Sequence, residues 1–449
     1  MRVAYWTWAW CLVATSVVTA GEVTYTKDVA SILWKNCASC HRPGEVGPFS
    51  LLDFRSAAKR ADFIATVTAD GRMPPWKPEA GYGEFLDEHR LSAEERATLT
   101  AWARAGAPEG DPKDLPPAPQ FTPGWQLGSP DQIVKMPESY AVSAEGRDVF
   151  RCFVIPLDAA EDKTVAAVDF RPGNRRVVHH ALFYLDNSGA ARKLDAKDQG
   201  PGYHSFGGVG FRPSGALGGW APGAMPRRLP DDMGRMLRKG SDLVLQVHYH
   251  PDGKPETDQS ELGIYYTKQP AKKIVASLPL GRSDLRIPAG DANYRLGSSY
   301  TLPRPLTAIG ISPHMHWLGR EMRVDAYLPG GKVEHLLWIK DWDFNWQGQY
   351  LYRHSIDLPK GTRIELSASY DNSSTNPANP NDPPKTVYYG EQTNDEMCYC
   401  WVQFVAAERS DYAELLKTGW QQIMLTRWAG FLNPATGNKP VGSTEGSGP

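Results

Sequence analysis

The sequence lacks an excess of charge of either sign. Its 449 residues include 49 basic and 51 acidic side chains, which gives a formal net charge of -2. A protein that binds nucleic acid usually presents a strongly basic surface, and this composition gives no such signal. Beyond the N-terminus the chain also lacks an apolar run long enough to cross a membrane. The composition therefore favours a globular protein, and the length suggests about two to four domains.

Cysteine is also scarce, with six in the chain. One lies in the N-terminal apolar run and two form a single motif described below. The remaining three are Cys152, Cys398 and Cys400. An oxidising compartment would permit one disulfide among them, with one cysteine left over. A blue multicopper oxidase would need a His-Cys-His arrangement. Neither Cys398 nor Cys400 has a neighbouring histidine, so this class of enzyme is disfavoured.

The N-terminus carries an export signal. Arg2 precedes a mostly apolar run from Val3 to Val18, and small residues at 18–20 suit cleavage before Gly21. The run is short for a membrane span, so a cleaved signal peptide is favoured over an uncleaved anchor. We therefore expect the mature protein to be exported, either periplasmic or secreted.

The predicted secondary structure changes along the chain. Residues 22 to about 110 predict helices, and Ser92-Ala93-Glu94-Glu95 is a capping-box start for one of them. A Pro-rich stretch follows, and from about 130 short alternating runs separated by turns predict many strands. The predicted segments are a signal peptide (1–20), a helical domain (21–110), a linker (111–129), two β domains (130–285 and 286–432) and a disordered tail (433–449).

Cys37-Ala-Ser-Cys40-His41 has the C-x-x-C-H spacing of a c-type haem attachment site. The two thiols can add to the haem vinyl groups while the adjacent histidine ligates the iron. The same cysteines could form a redox dithiol or half of a zinc site. The trailing histidine, the preceding helix and the export signal favour haem. We therefore predict one covalent haem c on Cys37, Cys40 and His41.

The sixth iron ligand should be a thioether or a second histidine. Met73 lies in the loop Gly71-Arg-Met-Pro-Pro-Trp76, between two predicted helices. A lone methionine can simply fill a core. However, the segment resembles the class I cytochrome c fold, in which a methionine on such a loop is the distal ligand. The resemblance implies that Met73 ligates the iron and, because this ligation raises the haem potential, that the domain carries electrons.

Histidines cluster in three short motifs on predicted strands. The motifs are Val177-Val-His179-His180, Leu245-Gln-Val-His248-Tyr-His250 and Ser312-Pro-His314-Met-His316. Residues i and i+2 of a strand face the same side, so His314 and His316 can chelate one metal, and His248 and His250 could do so by spacing alone. His179 and His180 can share a metal only if their strand is twisted, bulged or ending there. Three such motifs favour a metal site, and imidazole suits copper, zinc and iron.

The order of these motifs resembles the copper type II, ascorbate-dependent monooxygenases, the family of dopamine β-hydroxylase and peptidylglycine α-hydroxylating monooxygenase. The resemblance covers about 130 to 410. Besides the histidine motifs it rests on Trp317-Leu-Gly-Arg320, Tyr370-Asp-Asn and Glu396-Met397-Cys398.

The resemblance implies two coppers per chain. One is expected on His179, His180 and His248. The other, where catalysis would take place, is expected on His314, His316 and Met397. Two histidines and a methionine leave a position open for dioxygen, and the soft thioether favours Cu(I). In this pattern His250 has no ligand role, and His204 remains unassigned.

The resemblance also implies a fold and an activity. The expected fold class is a small all-α cytochrome c domain followed by two all-β antiparallel jelly-roll sandwiches that face each other across a solvent cleft. The expected activity is hydroxylation of a C–H bond of a small organic substrate with O2, the three-His copper supplying the second electron. We expect the haem to deliver electrons from an external donor such as ascorbate, a quinol or a redox protein.

The chain departs from the family in its cysteines and its substrate contacts. Cys398 follows the methionine as in the family, where it is disulfide-bonded, but here only Cys152 or Cys400 could pair with it. The residues that bind substrate in the family cannot be matched to positions of this sequence. Two other functions stay open: an exported haem and copper electron-transfer or copper-binding protein without turnover, and a zinc hydrolase. All six expected ligands are present, which favours catalysis, and zinc has no use for Met397.

Overall fold

The computed structural model describes residues 22–86, 88–121, 124–205, 208–221 and 224–432, without the side chains of 409 and 427–432. The predicted signal peptide and the predicted tail from 433 lie outside the described residues. Most of the described regular structure is β, in several sheets whose strands are largely antiparallel. Within the same residues no helix combines the length and the apolar character that a membrane span requires.

The chain divides into two compact units. Among the described residues, the first comprises those from 22 to 74 together with 90–119, and the second comprises those from 75 to 89 together with those from 120 to 432. Residues 75–89, which lie within the predicted haem domain (21–110), cluster with the β-rich unit.

The described part of the first unit is helical. A single π-helical turn, Tyr25–Val29, leads into four α-helices: α1 (Ala30–Asn36), α2 (Phe54–Ala58), α3 (Ala61–Ala69) and α4 (Ala93–Arg104). Their apolar faces share one core in which Leu33, Leu99 and Trp102 are fully buried. The predicted capping box is confirmed at the start of α4, where Ser92 and Glu95 exchange side-chain and backbone hydrogen bonds.

The first half of the second unit contains twelve strands and a short helix, α5 (Ala190–Asp195). The strands are β1 (Gln132–Lys135), β2 (Tyr140–Val142), β3 (Val149–Pro156), β4 (Lys163–Arg171), β5 (Val178–Asp186), β6 (Tyr203–His204), β7 (Gly215–Trp220), β8 (Met233–Leu237), β9 (Asp242–Tyr249), β10 (Glu256–Asp258), β11 (Glu261–Tyr266) and β12 (Lys273–Ile274). Two five-stranded sheets, β1-β11-β4-β8-β12 and β6-β3-β9-β5-β7, enclose one apolar core. The pair β8–β12 is parallel.

The second half contains ten strands and the terminal helix α6 (Arg409–Leu432). The strands are β13 (Ala276–Arg282), β14 (Arg286–Ile287), β15 (Tyr294–Thr301), β16 (Leu306–His314), β17 (Gly319–Tyr327), β18 (Val333–Ile339), β19 (Tyr350–Leu358), β20 (Arg363–Tyr370), β21 (Val387–Tyr388) and β22 (Cys398–Val405). Sheets β13-β22-β16-β19 and β15-β20-β17-β18 enclose a second core. Because β13 pairs with β22, the change of sheet falls near residue 275, ahead of the predicted boundary at 285.

The expected disulfide is not present. Cys152, Cys398 and Cys400 are buried thiols, and none of the three belongs to a disulfide. Cys152 lies on β3 in one core and the other two lie on β22 in the other. The prediction was wrong because it relied on the oxidising compartment alone. Cys152 lies in a different apolar interior from the other two. Cys398 and Cys400 lie two residues apart on one strand, about 6–7 Å along it, which is farther than the Cβ atoms of a disulfide stand.

Residues 75–89 form a strap that packs on the second half of the β-rich unit. Its backbone makes isolated bridges through Pro78 to β18 and through Phe85 to β19. The Phe85 ring is buried between Tyr350 and Tyr352, with ring centroids 5.3 Å from each. Gly83 adopts a φ of 82°, and a Cβ there would lie 2.5 Å from the Phe85 ring, so only glycine fits this turn.

The burial of Phe85 generates a stability prediction. Phe85→Ala should lower the free energy of unfolding of the β-rich unit by about 3–5 kcal/mol, because it removes a buried ring and leaves a cavity. Phe63→Ala is the control, since Phe63 is 53% exposed and should change stability little. Denaturant unfolding followed by tryptophan fluorescence measures both. Equal effects of the two substitutions would show that the strap does not contribute to this core.

Candidate metal sites

Three histidines converge on two neighbouring strands. His179 and His180 lie on β5 and His248 lies on β9, directly opposite His180. One ring nitrogen from each lies within 4.8 Å of the others. The β5–β9 register shifts between Val178 and His180, which turns two adjacent side chains to one side. This shift is the irregularity that the sequence required for His179 and His180 to share a site.

These three imidazoles are held neutral. The Nδ1 atom of His180 lies 3.2 Å from that of His179 and 3.3 Å from that of His248. Burial lowers the pKa of His179 to about 3 and the pKa of His180 well below its usual value, and neighbouring imidazoles add to both shifts. Burial also lowers the pKa of His248, although the Asp148 carboxylate opposes it. Metals bind the neutral form, so the cluster is in the protonation state that a metal needs.

A second pair of histidines lies where β16 ends. His314 is the last residue of β16, and His316 lies in the turn before β17, with the two ring centroids 5.1 Å apart. The Nδ1 atom of His314 is hydrogen-bonded to the Gln347 side-chain oxygen, and that of His316 lies 3.0 Å from the Asp395 carbonyl oxygen. Burial is the main cause that lowers the pKa of His314 to about 4. Both rings are therefore neutral and oriented so that Nε2 is the nitrogen left for a ligand.

Met397 is linked to one member of this pair through Glu396. The pairing of β16 with β22 ends at His314 and Tyr399, so His316 and Met397 both lie just beyond the paired residues. The Glu396 Oε2 atom accepts hydrogen bonds from the backbone N–H of His316 (2.9 Å) and of Met397 (3.1 Å). Burial raises the pKa of Glu396 to about 8, although the hydrogen bonds from these N–H donors work to lower it. One buried carboxyl thus ties the backbones of two candidate ligands together.

A single phenyl ring contacts both sets of histidines. Phe344 stacks on His179, with centroids 4.9 Å apart and planes 19° apart, and meets His316 edge-on at 5.6 Å. Phe344 is 5% exposed. The resemblance implied a solvent cleft between the two sites, but at this point a buried side chain lies between them.

The C-x-x-C-H motif lies just after α1 in the first unit. The backbone N–H groups of Cys40 and His41 both donate to the Cys37 carbonyl, at 3.1 and 2.9 Å. The His41 Nδ1 atom lies 3.2 Å from the Phe49 carbonyl oxygen, which leaves Nε2 for an iron. A Cβ at Gly47 would lie 2.8 Å from the His41 ring, so the backbone there can approach the histidine only as glycine.

The electrostatics of the motif disfavour a redox dithiol. Burial is the main cause that raises the pKa of Cys37 to about 12, whereas a redox-active cysteine needs a low pKa. Met73 lies in the same unit, half-buried, and its backbone N–H donates to the Val67 carbonyl at 3.0 Å, so the candidate loop is anchored to α3.

The other histidines singled out by the sequence lie elsewhere or face outward. His250 is exposed, and its Nδ1 atom bonds the Asp148 carboxylate at 2.7 Å. His204 lies on the edge strand β6 with an exposed side chain. Neither joins the described histidine cluster at 179, 180 and 248.

Several residues around the sites were missed at the level of sequence. They are Asp148, Phe344, Gln347, Thr393 and Asp395. Each lies in a loop or at a strand end, without a periodic pattern or a recognisable spacing, so no sequence signal marked them. Glu396 lay within a motif that the resemblance used, but its hydrogen bonds to the backbone could not be read from that motif.

The comparisons with known proteins point to one enzyme class. No protein-family model matches the chain. The mouse (Mus musculus) protein named DBH-like monooxygenase protein 2 is 24% identical to it over 276 residues, or 57% of this chain. This match supports the DBH-like copper monooxygenase family. The chain spans 42% of the length of that relative.

The comparison with solved structures adds no support for an enzyme class. Structures of the infectious bursal disease virus Gx strain and of a T13 particle of the virus are 7% and 9% identical and cover 62% and 66% of this chain. The alignments take in 72% and 82% of the viral chains, with TM-scores of 0.19 and 0.17. Likeness at this level carries no argument about fold or function.

The depressed histidine pKa values predict an acid-sensitive fold. Between pH 6.5 and about 4 an unfolded histidine takes up a proton that folded His179 or His314 does not, so the free energy of unfolding falls as the pH falls. The loss is at most about 1.4 kcal/mol per pH unit for each such residue. Chemical unfolding of the metal-free protein at pH 7 and pH 5 measures it.

The matched variants separate this effect from general acid sensitivity. His179→Gln should reduce the difference between the two pH values, whereas His204→Gln, at an exposed position, should leave it unchanged. A difference that is the same in wild type and His179→Gln would contradict the neutral buried imidazole.

Proposed function

We propose that this protein is a copper-dependent monooxygenase that hydroxylates a C–H bond of a small organic substrate with O2. In this proposal its own c-type haem delivers the electrons. The observation that carries it is the juxtaposition around Phe344 of a cluster of three histidines and a pair of histidines, His316 of the pair being joined to Met397 through Glu396. The match to a DBH-like monooxygenase supports the same class.

The donors at the two sites fit copper. Neutral imidazoles suit several transition metals, but a thioether is a soft ligand that favours Cu(I) over zinc. His179, His180 and His248 would hold one copper, and His314, His316 and Met397 the other. When bound, the two coppers would supply one-electron redox chemistry and a place for dioxygen to bind.

The surrounding residues set the orientation of each ligand. Gln347 and the Asp395 carbonyl engage Nδ1 of His314 and His316, so each ring presents Nε2. Groups that hold the distal nitrogen of a ligating histidine fix its tautomer and its orientation. Glu396 holds the His316 and Met397 backbones, which would keep two of the three ligands of the second copper in a fixed relation.

Each ligand set contains one deeply buried histidine, and its other members are partly exposed. His248 and His316 are 2% and 3% exposed. The Phe344 ring covers one face of His179 and the edge of His316. Partial exclusion of water limits the side reactions of reactive oxygen chemistry, so this environment suits hydroxylation of a C–H bond.

The first unit fits a covalent haem. Cys37 and Cys40 lie on one tight turn, His41 has Nε2 left for iron, and Met73 supplies a thioether on an anchored loop. When bound, the haem would carry one electron at a time. Fusion to a module that needs two electrons per turnover supports a role as its built-in donor, supplied in turn by ascorbate, a quinol or a redox protein. Haem attachment of this kind and the N-terminal apolar run support a periplasmic or secreted location.

Hydroxylation and its dependence on Met397 test the copper proposal. The copper-loaded protein, given reductant and 18O2, should place one 18O atom in the product from a panel of small C–H substrates. Met397→Leu should lower the rate at least about 100-fold, because loss of a ligand removes the second copper site. Mass spectrometry of the products and copper content per chain are the measurements.

Met315 provides the control for a lost thioether. It lies between His314 and His316, but its side chain is fully buried in the core. Met315→Leu should therefore keep two coppers and nearly full activity. Full activity in Met397→Leu, or two bound coppers with no hydroxylated product in wild type, would reject the monooxygenase and favour a copper carrier.

Covalent haem is tested separately. Expressed with a haem c maturation system, the wild-type protein should hold one haem that survives denaturation and acid extraction. The double variant Cys37→Ser/Cys40→Ser should lose it completely, since both thioether bonds are removed. Cys152→Ser, at a buried cysteine of the other unit, should keep it. A wild-type protein without covalent haem in the pyridine haemochrome assay would contradict the proposal.

A further inference from the structure

The Asp148 carboxylate lies between the two halves of the β-rich unit. Asp148 immediately precedes β3, and its side chain is 5% exposed. One oxygen, Oδ2, lies 3.3 Å from Nε2 of His248 and accepts hydrogen bonds from the Thr393 hydroxyl and from the Thr393 backbone N–H at 3.2 Å. The other oxygen bonds His250 at 2.7 Å. The carboxylate therefore contacts a candidate ligand in the first half of the unit, His248, and a loop in the second half, at Thr393.

The contact with His248 is made at its distal nitrogen. The Nδ1 atom of His248 faces His180, 3.3 Å away, and Nε2 faces Asp148. At 3.3 Å the carboxylate oxygen lies close to Nε2 without forming a hydrogen bond of good geometry. The Phe150 ring, stacked on His248 at 4.2 Å, confines the imidazole from the side. Asp148 thus sits where a carboxylate can set the orientation and basicity of a ligating imidazole.

The contact with Thr393 reaches the second ligand set. Thr393 is buried, four residues before Met397, in the loop that joins β21 to β22. Two residues further along, the Asp395 carbonyl oxygen lies 3.0 Å from Nδ1 of His316. The loop that Asp148 holds is therefore the loop that orients His316 and leads into Met397.

We propose that Asp148 is a positioning residue for both candidate metal sites. It orients His248 directly and holds the 391–397 loop, and with it His316 and Met397, through Thr393. This inference rests on the proposed copper sites and adds that one carboxylate couples them.

A merely structural role predicts a different outcome. If Asp148 only joined the two halves of the unit, its loss would lower stability and leave metal affinity and metal spectra as they are. The matched control is Asp325→Asn. Asp325 is also a buried aspartate that bonds a histidine, His335 at 2.6 Å, and an arginine, and it contacts none of the candidate ligands.

The test is copper titration of the full chain in both oxidation states. Affinities come from competition with chelators, and Cu(II) EPR reports the ligand geometry. Asp148→Asn should weaken copper at the three-His site about 10- to 100-fold and change its EPR hyperfine splitting. Thr393→Val should keep that affinity within about threefold but weaken Cu(I) at the site that contains Met397 about 10-fold or more. Asp325→Asn should match wild type in both measurements.

The outcomes separate this inference from the function on which it rests. If Asp148→Asn binds two coppers with wild-type affinities and EPR spectra, the positioning role of Asp148 is rejected and the proposed function is not. If Asp148→Asn does not fold, Thr393→Val decides, and unchanged Cu(I) affinity in that variant overturns the coupling. Wild-type protein that binds two coppers and shows these shifts but hydroxylates nothing would uphold the positioning role and reject the monooxygenase. Wild-type protein that binds no copper would reject both.

Discussion

The candidate metal chemistry depends on one irregularity in a β-ladder. In a regular strand His179 and His180 would point to opposite faces, and only one of them could meet His248 across the pair. The register shift after Val178 turns both toward β9, where His248 lies opposite His180. The shift sits at the start of β5, where the ladder can be interrupted without loss of the hydrogen bonds that continue to Asp186.

The second ligand set relies on strand ends rather than on strands. His314 closes β16, His316 lies in the turn that follows, and Met397 immediately precedes β22. Side chains at such positions need extra contacts to stay in place, and these come from Glu396, Gln347 and the Asp395 carbonyl. The two sets meet at Phe344, and Asp148 joins the same two halves through Thr393. Side chains from both halves therefore determine the geometry at each site.

The sequence predicted much of this, for identifiable reasons. Alternating runs and turns indicated a β-rich region, and the capping box at Ser92 located a helix. The spacing of histidines indicated a metal site, but it was the resemblance to the copper monooxygenases that singled out His179, His180 and His248, the three that converge. The sequence could not reveal that residues 75–89 pack with the β-rich unit, because Phe85 and Trp76 carry no periodic signal there. It also could not reveal the partners of the histidines, since Asp148, Phe344 and Gln347 become neighbours only through strand pairing over long separations. The predicted disulfide was wrong because spacing and compartment do not determine which way a buried cysteine points.

The proposed function requires that the chain hold two coppers in unlike sites that share one buried aromatic ring. Anomalous diffraction at the copper edge from crystals of the copper-loaded protein would locate both metals. We expect two copper peaks per chain, one bonded to His179, His180 and His248, and one bonded to His314, His316 and the Met397 sulfur. A single peak, or a second peak without a sulfur ligand, would contradict the proposed function.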